Sequence, residues 1–282
     1  MAIASERGRL IFRKTERDLL RLSEEHAPEV VHSFRTTTRR LQILLEQLVS
    51  NRDRNQKKLV KMLNRIRKRA GRVRDLDAQL TALRSLKVPL EPRRKTQLTQ
   101  QLLELRAKHE AKLGKVLKKK EIREIRERLQ RAAKSAEFDA RKNPLTVARQ
   151  MIESVERPAG RIDEDLLHQY RIAVKRARYA AEFAPKSADS TEFIAQLKRL
   201  QDALGNWHDW LILTHTAVQR LGDINQSPLV AALHNVTRGK FRHAVAELTS
   251  SASISAGKSA TPPPRKIEAK APILVDKTET AA

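Results

Sequence analysis

Apolar residues recur three and four positions apart along nearly the whole chain up to about residue 249, the pattern of amphipathic helices. Val31, Phe34, Thr38, Leu41, Leu45 and Leu48 form one such stripe, and Leu167, Tyr170, Val174 and Ala181 another. The periodicity predicts helices over about 5–26, 29–50, 53–70, 73–87, 93–117 and 121–139. In the second half it predicts about 144–156, 163–184, 190–204, 207–222 and 226–248. Strand signals are lacking, with few aromatics, few β-branched runs and no Asn-Gly turn. Pro28, Pro89, Pro92, Pro144, Pro158, Pro185 and Pro228 fall at the expected starts or gaps, where a missing N–H does least harm. Gly71 and Gly205 separate helical patterns and are expected to act as C-caps or kinks.

The pattern repeats. VHSFRTTTRR (Val31 to Arg40) returns as LHQYRIAVKR (Leu167 to Arg176), and LNRIRKRAGRVRD (Leu63 to Asp75) as LKRLQDALGNWHD (Leu197 to Asp209). The first pair is offset by 136 residues and the second by 134. The expected fold is all-α, with two pseudo-symmetric four-helix bundles, repeat one over about 5–139 and repeat two over about 144–249. The helices around 93–139 would complete the first bundle. Residues 250–282, rich in Ala, Ser, Pro and Lys and without periodicity, are expected to be a disordered tail.

On a helical wheel His32, Arg35 and Arg39 share an arc of roughly 60°, beside the apolar stripe. His168, Arg171, Lys175 and Arg178 form the corresponding row in the second copy. Like charges stacked on one helix face are unfavourable unless something anionic lies opposite. Arg offers a planar fork for phosphate oxygens, Lys a point charge and His an N–H donor. A chain of phosphates therefore suits these rows better than a single carboxylate. Arg40 and Arg176 lie off the row and can equally be solvated or paired with acids, while Phe34 and Tyr170 are expected in the core. The second repeated segment adds Arg65, Arg69, Arg72 and Arg74, then Lys198, Arg199 and His208. Asp75 and Asp209 follow as helix caps or as partners that orient an Arg or His.

Composition points the same way. In 282 residues, 58 Lys and Arg face 33 Asp and Glu, a net charge of +25 that calls for a polyanionic partner. The charge is uneven, for residues 1–140 alone hold 37 Lys and Arg against 18 Asp and Glu. The first half is thus expected to be the stronger attractor. Absence of cysteine excludes disulfide and thiolate chemistry. No apolar run is long enough for a secretory signal or a membrane span, so no membrane partner and a cytoplasmic location are expected. No HExxH or Cys/His cluster, Gly-rich phosphate loop or GxSxG elbow is present, so neither metal, cofactor nor enzymatic activity is expected.

With these residues the chain resembles the CHAD (conserved histidine α-helical) domain family. The motifs are His32-x-x-Arg35-x-x-x-Arg39-Arg40 and Gly71-Arg72-Val73-Arg74-Asp75, then His168-x-x-Arg171-x-x-x-Lys175-Arg176-x-Arg178 and Gly205-Asn206-Trp207-His208-Asp209. The resemblance covers about residues 5–249. It implies two helical bundles around a basic pore or groove that binds inorganic polyphosphate, with association with polyphosphate granules. Some members are fused to a CYTH triphosphate-hydrolysing domain, whose ExExK strands are not visible here. The first copy departs from the pattern at Gln42, where a basic residue would match Arg178. The candidate contacts are His32, Arg35, Arg39, Arg40, Arg65, Arg72 and Arg74 with His168, Arg171, Lys175, Arg178, Lys198 and His208. A non-specific nucleic-acid binder is the alternative, although aromatics are only 4% of the chain and no stacking platform is evident.

Overall fold

The computed structural model describes residues 2–50, 52–87, 92–155, 162–222 and 227–257, with side chains from 6 to 250. Nine α-helices are found among them: α1 (Ala2–Glu24), α2 (Pro28–Ile43), α3 (Arg54–Ser85), α4 (Pro92–Gly114), α5 (Lys119–Ser135), α6 (Pro144–Glu153), α7 (Glu164–Ala181), α8 (Ala188–Leu221) and α9 (Pro228–Gly257). The all-α expectation holds. The one β-type pairing among described residues is an isolated bridge between Val49 and Phe138, which staples the end of α2 to the segment after α5.

Local chemistry fixes the helix starts. Pro28, Pro144 and Pro228 open α2, α6 and α9, where the absent N–H has no intrahelical acceptor to lose. Asp53, Asn143, Asp163 and Ser187 are N-caps whose side chains accept from Gln56, Leu145, Leu166 and Ser190 backbone N–H groups. At its C-terminal end α2 widens into a π-helical turn over Leu44–Leu48, which buries Leu44, Leu45 and Leu48 together.

Two expectations are corrected. First, α3 and α8 run unbroken through Gly71 and Gly205 for 32 and 34 residues. A single interior glycine costs a helix only about 1 kcal/mol. The apolar stripe continues through both sites, with Ile66, Ala70, Val73 and Leu76 on α3 and Leu200, Ala203, Leu204 and Trp207 on α8. Packing along that stripe outweighs the local penalty. Second, α9 extends to Gly257, past the expected tail boundary, while the rest of the expected disordered tail, residues 258–282, lies outside the described residues. The interior forms two cores of four helices each and a third between the long helices.

One core joins Leu19, Phe34, Leu41, Leu45, Leu63, Ile66, Ile125 and Leu129 of α1, α2, α3 and α5. A second joins Leu145, Tyr170, Val174, Ala177, Leu200, Leu204, Trp207 and Leu248 of α6, α7, α8 and α9. A third joins the C-terminal halves of the two long helices through Leu76, Leu80, Leu83, Trp210 and Leu213, with Leu98 and Leu102 of α4 and Leu229, Val230 and Leu233 of α9. The helix order still repeats: α2, α3 and α4 begin at 28, 54 and 92, and α7, α8 and α9 at 164, 188 and 228. Helix α5 has no helical equivalent among the described residues of the second half. The α2–α7 and α3–α8 contacts bring the two copies of the cationic motif face to face.

Candidate functional site

Two cavities open where α2 and α3 meet α7 and α8. One, of about 370 Å³, is lined by Arg39, Gln42, Glu46, Arg67, Arg171, Lys175, Arg176 and Tyr179 among others. The other, of about 110 Å³, is lined by His32, Arg35, Arg39, Arg74, Asp75, Arg171, Lys175, Tyr179, Gln201 and Asp209 among others. Arg39, Arg171, Lys175 and Tyr179 belong to both linings, so these four side chains stand between the two cavities. Helical spacing explains the convergence. Arg35 and Arg39 sit one turn apart on α2, Arg171 and Lys175 one turn apart on α7, and each pair flanks a buried stripe that holds its helix in place.

The cleft is a poor solvent for its own charges. Loss of solvent is the first cause lowering the pKa of Lys175, to about 7, with Arg171 and Arg39 adding repulsion. Arg67 falls to about 10 for the same first reason, followed by repulsion from Arg39 and Arg35. Arg35 and Arg171 are likewise pushed down by burial, against the opposing pull of Asp75 and Asp209. The buried Nε atoms of Arg39 and Arg171 have no hydrogen-bond partner. An orphaned buried donor costs about 1–3 kcal/mol, so these groups are set to receive an acceptor. The acids nearby do not match the cations, and Asp75 approaches Arg35 no closer than 3.9 Å.

The two histidine sites differ. His32 is an exposed residue, yet protein crowds its ring enough that loss of solvent, then Arg74 and Arg35, lowers its pKa. The Arg74 Nε donates to His32 Nδ1 at 3.4 Å. In the second half the rings of His168 and His208 lie 5.6 Å apart, and His168 is pushed down by desolvation, then by His208 and Arg171. Neither His168 nor His208 lines the two cavities.

Of the expected contacts, His32, Arg35, Arg39, Arg74, Arg171 and Lys175 gather around the cleft. Arg40 and Arg178 stand beside it in a latch between the halves. Glu182 accepts from Arg40 Nε at 2.6 Å and Nη2 at 3.1 Å, and pairs with Arg178 Nη1 at 2.9 Å. Both guanidinium groups also lie over the Tyr179 ring, at 5.5 and 5.1 Å. Arg7 donates to the Glu182 and Ala184 carbonyls, binding α1 to the same corner.

Arg65, Arg72 and Lys198 are not brought into the cleft. Arg65 pairs with Glu121 of α5, Arg72 lies exposed beside His109 of α4, and exposed Lys198 pairs with Asp202. On an unbroken α3 these two arginines point about 160° away from Arg67 and Arg74, two residues further along. Reading α3 as two helices hid that geometry.

Arg67 and Tyr179 are contributors that the sequence reading did not single out. Arg67 also answers the gap at Gln42. Arg67 Nη2 donates to Gln42 Oε1 at 3.1 Å, and in the second half Arg178 Nε donates to Gln201 Oε1 at 2.9 Å. Gln42 and Arg178 are repeat equivalents, as are Arg67 and Gln201. The two copies have exchanged Arg and Gln between neighbouring helices and kept one cation in the pair. Aligning position 67 with 201 would have shown the reciprocal change.

The family model of the CHAD domain matches residues 9–218, and the chain belongs to that family. Among solved structures it is similar to the CHAD domain from the plant Ricinus communis, with 19% identity, a TM-score of 0.57, and 89% of this chain and 88% of that one covered. It is also similar to PptA from Streptomyces chartreusis, with 15% identity, a TM-score of 0.64, and 89% and 98% covered. At these identities both likenesses show the fold alone. No curated protein matches the chain. Among the described residues no helix is long and apolar enough to cross a membrane.

Proposed function

We propose that the cleft between α2 and α7 binds inorganic polyphosphate and does so without turning it over. The observation that carries this reading is the set of desolvated, under-neutralised cations at its centre. Arg39 and Arg171 hold buried Nε donors without acceptors, and Lys175 is strained by burial among them. Membership of the CHAD family adds weight, because the resemblance of the motifs implies polyphosphate as the ligand. A linear chain of phosphates supplies several acceptors at once, and its later contacts avoid the positional cost of the first. A duplex, with its phosphates on the outside of a wide cylinder, does not fit a cavity of about 370 Å³.

Titration with polyphosphates of several lengths tests the reading. Long chains are expected to bind at least 100-fold more tightly than monophosphate, with the gain levelling once the cleft is spanned. Equal affinity per phosphate at all lengths overturns it. Incubation with Mg²⁺ is expected to release no phosphate from the bound polymer. In cells that store polyphosphate, a tagged chain is expected to collect at the granules.

A further inference from the structure

The surplus charge of the first half is not in the cleft. Arg35, Arg39, Arg67 and Arg74 face it from one side and Arg171, Lys175 and Arg176 from the other, a difference of one cation. Part of the surplus lies instead on the outer face of α3. Lys57, Lys61, Lys68 and Arg72 form an exposed row there, about 80–160° around the helix from Arg67 and Arg74.

Arg69 extends this row, and Lys108 and Lys112 of α4 stand close enough to it that, after burial, Lys112, Arg72, Lys108 and Arg69 all lower the pKa of His109. Among the described residues none of these lysines and arginines has an ion pair, and none lines either cavity of the cleft. The neighbouring Lys58 and Arg65 are tied to Glu124 and Glu121 of α5, which fixes one edge of the face.

Helix α8 of the second half has no such row. The repeat equivalents of the α3 row are Thr191, Ala195, Asp202 and Asn206. The outer row is therefore not a by-product of the repeated architecture.

We propose that this outer face of α3 and α4 docks the phosphate backbone of duplex nucleic acid, independently of the cleft. The face is exposed and lysine-rich, which suits point-charge contact with phosphates rather than readout of bases. From Lys57 to Arg72 it runs about 22 Å, the length of roughly six phosphate steps along one strand. No Phe, Tyr or Trp is exposed among the described residues, so single strands find no stacking platform. A flexible polyphosphate chain would lose its freedom there for contacts that solvent screens, whereas a duplex already holds its phosphates in rows.

The test uses the full chain, a 20-base-pair DNA duplex of arbitrary sequence, and a long polyphosphate. With about five phosphate contacts, duplex affinity is expected to fall about 20-fold between 0.1 and 0.2 M salt. Replacing the row by Lys61→Gln, Lys68→Gln and Arg72→Gln is expected to reduce the log–log salt slope from about −4.5 to about −1.8. Duplex affinity should drop at least tenfold while polyphosphate affinity changes less than threefold. The Arg171→Ala, Lys175→Ala protein should show the reverse, and its retained duplex binding certifies its fold. Duplex binding unchanged by the row replacement overturns the proposal. So does a row variant that loses polyphosphate instead, which would make the face an outer strand of the polymer site. Wild-type protein that binds duplex through the row but ignores polyphosphate leaves this inference standing and removes the reading of the cleft.

Discussion

The two halves of the chain are nearly equal on the inside and unlike on the outside. Across the cleft Arg35 and Arg39 face their equivalents Arg171 and Lys175, and the Arg67–Gln42 pair is answered by Arg178–Gln201. On the solvent side of the long helices, Lys61, Lys68 and Arg72 stand where the second copy has Ala195, Asp202 and Asn206. Net charge alone suggests that the first half dominates the site. Placement shows instead that the excess lies outside the cleft, part of it on this outer row. Interior positions are constrained by the partner copy packed against them, whereas outer positions are not.

The largest effect should come from breaking the inner equality. If both copies grip one polymer, Arg35→Ala with Arg39→Ala and Arg171→Ala with Lys175→Ala should each weaken long-chain polyphosphate binding by at least about 100-fold, since each lost charge-assisted contact is worth about 1.5–3 kcal/mol. Calorimetry on the two double variants checks this. A loss confined to one pair would mean that a single half carries the site.

A smaller effect separates Lys175 from its equivalent Arg39. With its pKa lowered to about 7 in the empty cleft, Lys175 is mostly charged at pH 6 and mostly neutral at pH 8. Its pull on phosphate is therefore present below about 7 and lost as pH rises through that value. If the charged form is the one that binds, affinity should fall about tenfold from pH 6 to pH 8. Lys175→Arg should flatten the profile, because a guanidinium keeps its proton. Linkage acts oppositely on the empty protein. Unfolding returns this lysine to its ordinary value of 10.5, so the unfolded chain binds the extra proton and stability rises from pH 7 to 10. Thermal melts with and without polyphosphate separate the two trends.

The sequence made the α-helical class, the repeat offset and the central cations legible, because each is written in local spacing. Pairs such as His32 with Arg35 share a face on any helix. Its blind spots were long-range. Whether α3 bends at Gly71 depends on the continuous stripe packed beneath it, and that decision sends Arg65 and Arg72 outward while turning Arg67 inward. Arg40 and Arg178 carry the expected motif, but Glu182, 142 residues from Arg40, holds both. Only the fold brings that carboxylate to them. The third core was equally out of reach, since α4 and α9 come together with both long helices there only in the folded chain.

The smallest effect concerns the two equivalent glycines, which occupy the same helical setting for different reasons. A methyl group at Gly71 would collide with the Arg35 guanidinium, whereas one at Gly205 would meet nothing within 4 Å. Gly205→Ala should therefore stabilise the protein by about 0.5–1 kcal/mol, since alanine forfeits less backbone freedom on folding. That amounts to a rise in Tm of about 1–4 °C, with polyphosphate affinity unchanged. Gly71→Ala gains the same helix propensity but must push Arg35 out of its place, where Nη1 donates to the Arg67 carbonyl at 3.3 Å. Displacing one such contact should cost about 1 kcal/mol of binding, a three- to tenfold loss of affinity, and should cancel the gain in Tm. Equal behaviour of the two variants in both measurements would show that Arg35 does not need the space that Gly71 leaves.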